Sequence, residues 1–330
     1  MEYASGFVDG IMAGHRKINQ RGHQFGRPFT QKTEKGQAMA DLGKILVTGA
    51  PGHVGSALLE RLTAPEVEVR ALVHDESKVQ SLSDRGVEIV LGDFLKPETL
   101  GPVLEGVSTV FLLTPIHPEQ VPQATNVIQA AKESGNDPRI VRLSVQQASR
   151  EAPAGNSRQH AQIEYQLISS GLPYTILRPQ SFMQNSLMAA RTVASEGRIY
   201  QPFKDGRLGM IDARDIGEVA AKVLTEEGHE GEEYTLTGPA AISLYDVAEV
   251  LSEVLGKEVN YVSISLERAK EAMRSMGFSE WRADALNEYA KAHSEGYSDW
   301  TTDDVERLTG HPATSYRKFA SDFEQVFRGG

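Results

Sequence analysis

The sequence predicts an α/β protein: a doubly wound parallel sheet followed by a smaller, mainly helical C-terminal region. Three observations predict it. A short apolar run, Ile45 to Val47, leads into glycines at intervals of three, Gly49, Gly52 and Gly55, and then into apolar residues at helical spacing, Val54, Leu58, Leu59 and Leu62. Further strand-like and helical segments alternate up to Arg178. Most of those strand runs are apolar rather than alternating, as expected of parallel strands buried on both faces.

After the first helix, Val67 to Val73 reads as the second strand and Lys78 to Leu82 as a helix. Val87 to Asp93 is a third strand, and Pro97 to Leu104 a short helix with its proline in the first turn. Thr109 to Thr114 is a fourth strand. Val121 to Ser134 is a helix that Gly135 ends. Arg139 to Ser144 is the fifth strand, His160 to Ser170 a helix ended by Gly171, and Tyr174 to Arg178 the sixth strand. Beyond residue 180 the pattern loosens. A helix starts at Asp215, taken as its N-cap; Tyr234 to Thr237 is a strand; Ser243 caps a helix that ends at Gly256. Residues 266–295, Asp303 to Leu308 and Tyr316 to Phe327 are helical.

Composition sets limits. The chain has 330 residues, no cysteine and a net charge of −11. Disulfides, thiolate metal sites and cysteine nucleophiles are excluded, and general affinity for nucleic acid is disfavoured. No apolar run approaches the length of a membrane span, and no spacing of histidines suggests a metal site. Residues 1–38 carry a net charge of +3, so the remainder carries −14. That first segment is poor in apolar residues and has no period. It reads as a poorly ordered leader, residues 1–41, with Met39 a natural start just ahead of the first strand. Residues 42–180 are then a Rossmann-type dinucleotide-binding core. Residues 181–330 are a substrate-binding region interleaved with it.

Strand, glycine-rich turn and helix together make a phosphate site. Gly49 turns the chain off the strand, Gly52 lets the backbone approach a pyrophosphate, and Gly55 permits close packing of the helix. Thr48, His53 and Val54 flank this turn, and the helix N-terminus offers N–H groups to the phosphates. In such sheets ligands bind at the carboxyl ends of the strands. That rule selects His74, Asp93, Thr114, Ser144 and Arg178. Asp93 and Phe94 stand where adenine would lie, or Asp93 caps the helix near Pro97. Thr114 and Pro115 lie over the nicotinamide ribose, or simply end a strand.

The glycine turn, the Gly92-Asp93 strand end, and the stretch from Ser170 through Arg178 and Pro179 to Phe182 and Asn185 recur together here. Asp215 to Ala220 and Tyr234 to Pro239 complete the set. In this order they resemble an NmrA-like atypical short-chain dehydrogenase/reductase, over residues 43 to 327. That grouping includes triphenylmethane-dye reductases, quinone reductases and a redox-sensing regulator. The resemblance implies NADP, with NAD possible. Relatives often carry Arg after the second strand; here the position is His74, followed by Asp75, Glu76 and Lys78. Lys78 suits a 2′-phosphate and the two acids suit a free ribose hydroxyl.

Ordinary short-chain dehydrogenases place Tyr-x-x-x-Lys on the helix after the fifth strand. This chain has Asn156 near the Tyr position and His160 near the Lys position. Alcohol dehydrogenation is therefore doubtful, whereas an electron-poor quinone or dye accepts hydride without a strong protein acid. His160 and Glu164, four residues apart, share a helix face. His160 is a candidate to bind the ribose or donate a proton, oriented by Glu164; the alternative is a surface pair of little weight. Ser144 is the second catalytic candidate, and Tyr165 is expected to face the core. The leading expectation is an NAD(P)H-dependent, flavin-free reductase of a small conjugated acceptor. It would be cytoplasmic, a monomer or homodimer, with neither nucleic acid nor membrane as partner. A dinucleotide-sensing regulator without turnover is the alternative. Deleting residues 1–38 should leave the melting temperature and cofactor affinity nearly unchanged, because that segment holds little apolar area to bury; a drop of several degrees would show that it packs.

Overall fold

The computed structural model describes residues 43–330 apart from 63, 65, 66, 83 and 84. The expected leader, residues 1–41, lies outside the described residues. The first half runs β1 (Lys44–Thr48), α1 (His53–Arg61), β2 (Glu68–Val73), β3 (Glu88–Leu91), α2 (Leu100–Leu104), β4 (Val107–Leu112), α3 (Gln120–Glu133), β5 (Arg139–Leu143), α4 (Gly155–Ser170) and β6 (Tyr174–Pro179). Next come α5 (Ala190–Glu196), β7 (Arg198–Gln201), β8 (Arg207–Leu208), α6 (Ala213–Thr225) and β9 (Glu233–Leu236). The chain closes with β10 (Ile242–Ser243), α7 (Leu244–Leu255), β11 (Asn260–Ser263), α8 (Leu266–Ser275), α9 (Glu280–Ser294), α10 (Asp304–Thr309), α11 (Tyr316–Asp322) and α12 (Glu324–Arg328).

Seven strands form one parallel sheet in the order β3-β2-β1-β4-β5-β6-β9. The strand order reverses between β1 and β4, which opens a crevice at their carboxyl ends. Alternate residues of each strand feed two cores. Ile45, Val47, Phe111 and Val141 pack under α1 and α6; Leu46, Val110, Leu112 and Ile140 pack under α2, α3 and α4. This two-sided burial is why the strands read as continuous apolar runs. A third core joins α5, α7, α8, α9, α11 and α12 beyond the sheet's carboxyl edge. The chain leaves the sheet after β6, returns to it for α6 and β9, and leaves again. Contact between α1 and α6 is close because Gly217 lacks a side chain; a Cβ there would stand 2.8 Å from Ala57.

Several local expectations are corrected. The segment around Lys78 is a 3-10 turn, Glu76–Ser81, capped by Asp75, whose Oδ1 accepts from Ser77 N at 2.8 Å. Helix α6 is capped by Asp212, not Asp215. Asp212 accepts from Arg214 N at 2.9 Å, while Asp215 sits inside the first turn and accepts from Thr314 N and Oγ1 at 2.7 and 2.8 Å. Helix α4 starts at Gly155, five residues before His160. Tyr165 is exposed, with Arg150 over its ring at 5.3 Å, because the buried stripe of α4 runs through His160, Ile163, Glu164 and Leu167. The short strands β7, β8, β10 and β11 pair into two small two-stranded sheets that the loosened sequence pattern does not announce. Ser243 caps α7 as expected, with Asp246 closing a capping box.

Candidate functional site

The site is built outward from the end of β1. Thr48 is fully buried, and its hydroxyl accepts from Leu113 N at 2.8 Å and donates to the carbonyls of Phe111 and Leu113 at 3.0 Å. It thereby ties the ends of β1 and β4 together beneath the crevice. Gly49 takes φ +65°, and Gly52 N donates to Gly49 O at 3.0 Å, closing the turn. Gly52 is the N-cap of α1 and supplies no side-chain cap, so the first N–H groups of the helix, from His53 and Val54, are left for a ligand. A Cβ on Gly55 would fall 2.2 Å from Gly49 O, so the turn folds back onto its own helix. Pro51, Gly52 and His53 are exposed. This cradle fits a dinucleotide pyrophosphate.

At the neighbouring strand ends, His74 and Asp75 are exposed and Lys78 is half-buried. Asp93 Oδ1 accepts from Leu95 N at 2.9 Å, and its other oxygen stands 3.3 Å from Lys96. These contacts, the Leu95 bond foremost, hold its carboxyl below the ordinary range. The bond from Ser77 does the same for Asp75. His74 lies within electrostatic reach of both carboxylates. Phe94 is half-buried, packs against the α3 side of the sheet, and receives Asn126 Nδ2 on its carbonyl at 2.7 Å.

Sequence reasoning pointed to His160, Ser144 and Thr114 separately; the structure brings them into one buried network. Arg142, on the central strand β5, has no exposed surface. It donates to Leu112 O and Thr114 Oγ1, each at 3.0 Å, and its Nη2 stands 3.2 Å from His160 Nδ1. Tyr289 O–H donates to Asn156 Oδ1 (2.7 Å), and Asn156 Nδ2 to Gln120 Oε1 (2.6 Å). Gln120 Nε2 donates to Thr114 Oγ1 (3.1 Å) and stands 3.1 Å from His160 Nε2. The other ring nitrogen, Nδ1, faces both Arg142 Nη2 at 3.2 Å and Ser144 Oγ at 3.4 Å. Ser144 then donates to Glu164 Oε1 at 2.5 Å. Arg178 grips Glu164 at 2.7 and 2.9 Å and reaches Glu233 on β9 at 2.5 Å. The direct His160–Glu164 pair expected from spacing does not form: Ser144 stands between them and Arg178 takes the carboxylate. Neither residue is on the surface.

Arg142, Gln120 and Tyr289 escaped sequence reasoning. Arg142 left one signal, a charged residue in the middle of a central strand. The other two left none, because α3 and α9 reach the site only through tertiary packing.

Beyond this network lies an apolar cavity of about 150 Å³. Ser181 and Asn185, just after β6, form one wall. Met188, Met210, Met273 and Met276 line it, and Tyr289 presents its ring. Its lining residue Tyr289 is hydrogen-bonded to Asn156 and, through Asn156 and Gln120, to Thr114 at the carboxyl edge of the sheet. His160 and Ser144 do not line the cavity. Nearby, His293 is fully buried against Phe203, ring centroids 4.7 Å apart, and neither of its nitrogens has a hydrogen-bond partner.

This architecture defines a dinucleotide-binding α/β protein with a separate apolar pocket at the strand ends. Residues 41–314 match the NmrA-like family, and the chain belongs to that family. It is 38% identical over 283 residues to the NAD(P)H azoreductase of Xenophilus azovorans, covering 86% of this chain and 99% of the relative. The solved structure of the NADPH-dependent quinone oxidoreductase QOR2 of Escherichia coli, complexed with NADPH, is 30% identical with a TM-score of 0.77, over 85% of this chain and 99% of that one. The triphenylmethane reductase of Citrobacter sp., complexed with NADP(H), is 28% identical with a TM-score of 0.75, over 84% and 99%.

Two outcomes follow from the geometry. Gly52→Val should abolish dinucleotide binding in calorimetry yet leave the melting temperature nearly intact, because Gly52 has negative φ and a Cβ there meets only Gly49 O, at 3.3 Å. Unchanged affinity would refute the cradle. The second outcome concerns acid. Burial, and for His160 also the charge of Arg142, holds His160 and His293 well below their ordinary pKa of 6.5. The unfolded chain takes up these two protons as pH falls through that value, and the folded chain does not. Stability is therefore complete above pH 6.5 and declines below it, by up to about 1.4 kcal/mol per pH unit for each ring. Denaturant titrations at pH 7.5 and 5.5 should show the loss, and His293→Phe should reduce it.

Proposed function

We propose that this protein is an NAD(P)H-dependent, flavin-free reductase that passes hydride to a small conjugated acceptor, a quinone or a triphenylmethane or azo-type dye. The observation that carries this reading is the glycine turn at the end of β1, in a fold that also holds an apolar cavity after β6. The azoreductase, quinone oxidoreductase and triphenylmethane reductase named above support it. The nicotinamide, when bound, supplies two electrons and a hydrogen as hydride. Gly49, Gly52, Gly55 and the N–H groups of His53 and Val54 would hold its pyrophosphate. Asp93 and Phe94 would flank adenine, and Thr114 and Pro115 would border the nicotinamide ribose. His74 and Lys78 support NADP, while Asp75 and Glu76 keep NAD possible.

The depressed pKa and burial of His160 argue against a proton donor. We assign His160 and Ser144 to positioning: they fix Gln120 and Thr114, and so the floor beneath the cofactor. The proton that completes reduction of a quinone then comes from water; a cationic triphenylmethane dye is complete once it has taken the hydride. Cytoplasmic location and a monomeric or homodimeric state belong to this proposal. No helix among the described residues is long and apolar enough to cross a membrane.

The test is single-turnover NADPH oxidation with a triphenylmethane dye and a small quinone, with deuteride traced from the nicotinamide to a carbon of the dye product. His160→Ala should weaken cofactor binding and slow reduction less than the roughly 100-fold expected for loss of a general acid. His160→Gln should recover part of the loss, and the pH profile of kcat should not change. If neither acceptor is reduced while the dinucleotide binds tightly, a sensing regulator without turnover replaces this reading.

A further inference from the structure

We propose that the basic stretch ahead of the fold, residues 10–33, docks back onto its own chain in a groove between α2 and α3. The inference is independent of the reductase reading. The described chain starts at Gly43, and Lys44 pairs with Val107 where β1 meets β4. Ser108 Oγ donates to Lys44 O at 3.1 Å. The preceding segment therefore joins the fold at the amino end of β1, beside the α2–β4 link that holds Glu105 and Gly106. This is the edge of the sheet opposite the glycine turn.

The groove has a volume of about 590 Å³. Pro97, Pro102 and Ala130 give it apolar surface, and Glu98, Glu105 and Glu133 give it three exposed carboxylates. Among the described residues that line it there is no Lys or Arg. Glu133 accepts from Gln129 at 2.7 Å, and none of the three carboxylates is in an ion pair among the described residues. The wall that carries Glu105 is fixed from inside, because buried Arg70 donates to the carbonyls of Val103 and Glu105 at 2.7 and 3.1 Å.

The segment has the complementary charge. Residues 10–33 hold Arg16, Lys17, Arg21, Arg27 and Lys32 and no acid. Length permits the contact: the eleven residues from Lys32 to Gly43 span up to about 36 Å at roughly 3.3 Å each, and Glu105 stands two residues before Val107. Tethering beside the groove also raises the local concentration of these cations there above that at other acidic patches. The family match begins at residue 41, so the contact belongs to this chain rather than to the family fold. Exposed ion pairs add little stability and are screened by salt. Docking is thus consistent with a melting temperature that hardly changes when residues 1–38 are removed, and it leaves the glycine turn open.

The chain has no cysteine, so Asn19→Cys offers a unique thiol for a nitroxide label on the full-length protein. At about 20 mM salt the label should erase amide signals of Gly101, Gly106 and Ser134 around the groove and spare those of His74 and Gly92 at the opposite edge of the sheet. The signals should return at about 500 mM salt, where screening acts over less than about 8 Å. Glu98→Gln, Glu105→Gln and Glu133→Gln combined should restore them at low salt; if that variant does not fold, the salt series on the chain with native carboxylates decides. Full signals at low salt, a loss that salt does not reverse, or a loss that persists in the triple variant overturns the proposal. A mixture of labelled chain with unlabelled, isotope-enriched chain completes the test: signals erased there place the segment on a second copy, which also overturns it.

Discussion

A guanidinium with no exposed surface, Arg142 in the middle of the parallel sheet, is the constraint around which the strand ends are organised. Burying such a charge costs about several kcal/mol unless acceptors surround it. Leu112 O and Thr114 Oγ1 supply two of them from the adjacent strand β4 and its continuation. This fixes where β4 ends and how the chain turns towards α3. Burial, and after it this charge, keeps the neighbouring His160 neutral, with Gln120 at one ring nitrogen and Arg142 and Ser144 at the other. The network ends on the Glu164 carboxylate, which accepts from Ser144 and is held by Arg178.

Arg178 links this network to the edge of the sheet. It bonds Glu164 on α4 and Glu233 on β9, so the seventh strand and the helix covering the sheet share one cation. Tyr289 connects the other end to α9, an element of the third core. The polar chain therefore crosses between the dinucleotide half and the cavity half, and its satisfied bonds keep their relative position. A buried network of this kind holds a site firmly only when each member has a partner. The cavity behaves differently. Its methionines pack without directional bonds, and its amide oxygens at Asn185 and Asn287 are unpartnered. Directional bonds hold the strand ends, and loose apolar packing holds the cavity.

The cradle depends on backbone proximity more than on side-chain chemistry. Gly55 allows the helix to touch the turn, and Gly217 allows α6 to lie against α1. Thr48 contributes from below by joining β1 to β4. Asp212, at the start of α6, accepts from Gln184 at 2.8 Å as well as from Arg214, and so joins that helix to the segment after β6.

The sequence alone determined the sheet and the position of the glycine turn at the end of its first strand. These follow from local rules: apolar runs for buried strands, glycines where backbones touch, and caps such as Ser243. Where two local rules compete, the sequence does not choose between them. Asp212 and Asp215 both suit a cap, and only the path of the chain into α6, with Thr314 folding back onto Asp215, decided between them. His160 and Glu164 were legible as residues of one helix face, but spacing cannot show that Ser144 would insert between them or that Arg178 would take the carboxylate. Tertiary structure alone decided the neutral state of His160, the return of α6 and β9 to the sheet, and the cavity of α8, α9 and the segment after β6. The reason is physical. Periodicity reports which face of an element is buried, whereas hydrogen-bond partners, desolvation and enclosed volume depend on residues more than a hundred positions apart, as Asn156 and Tyr289 are.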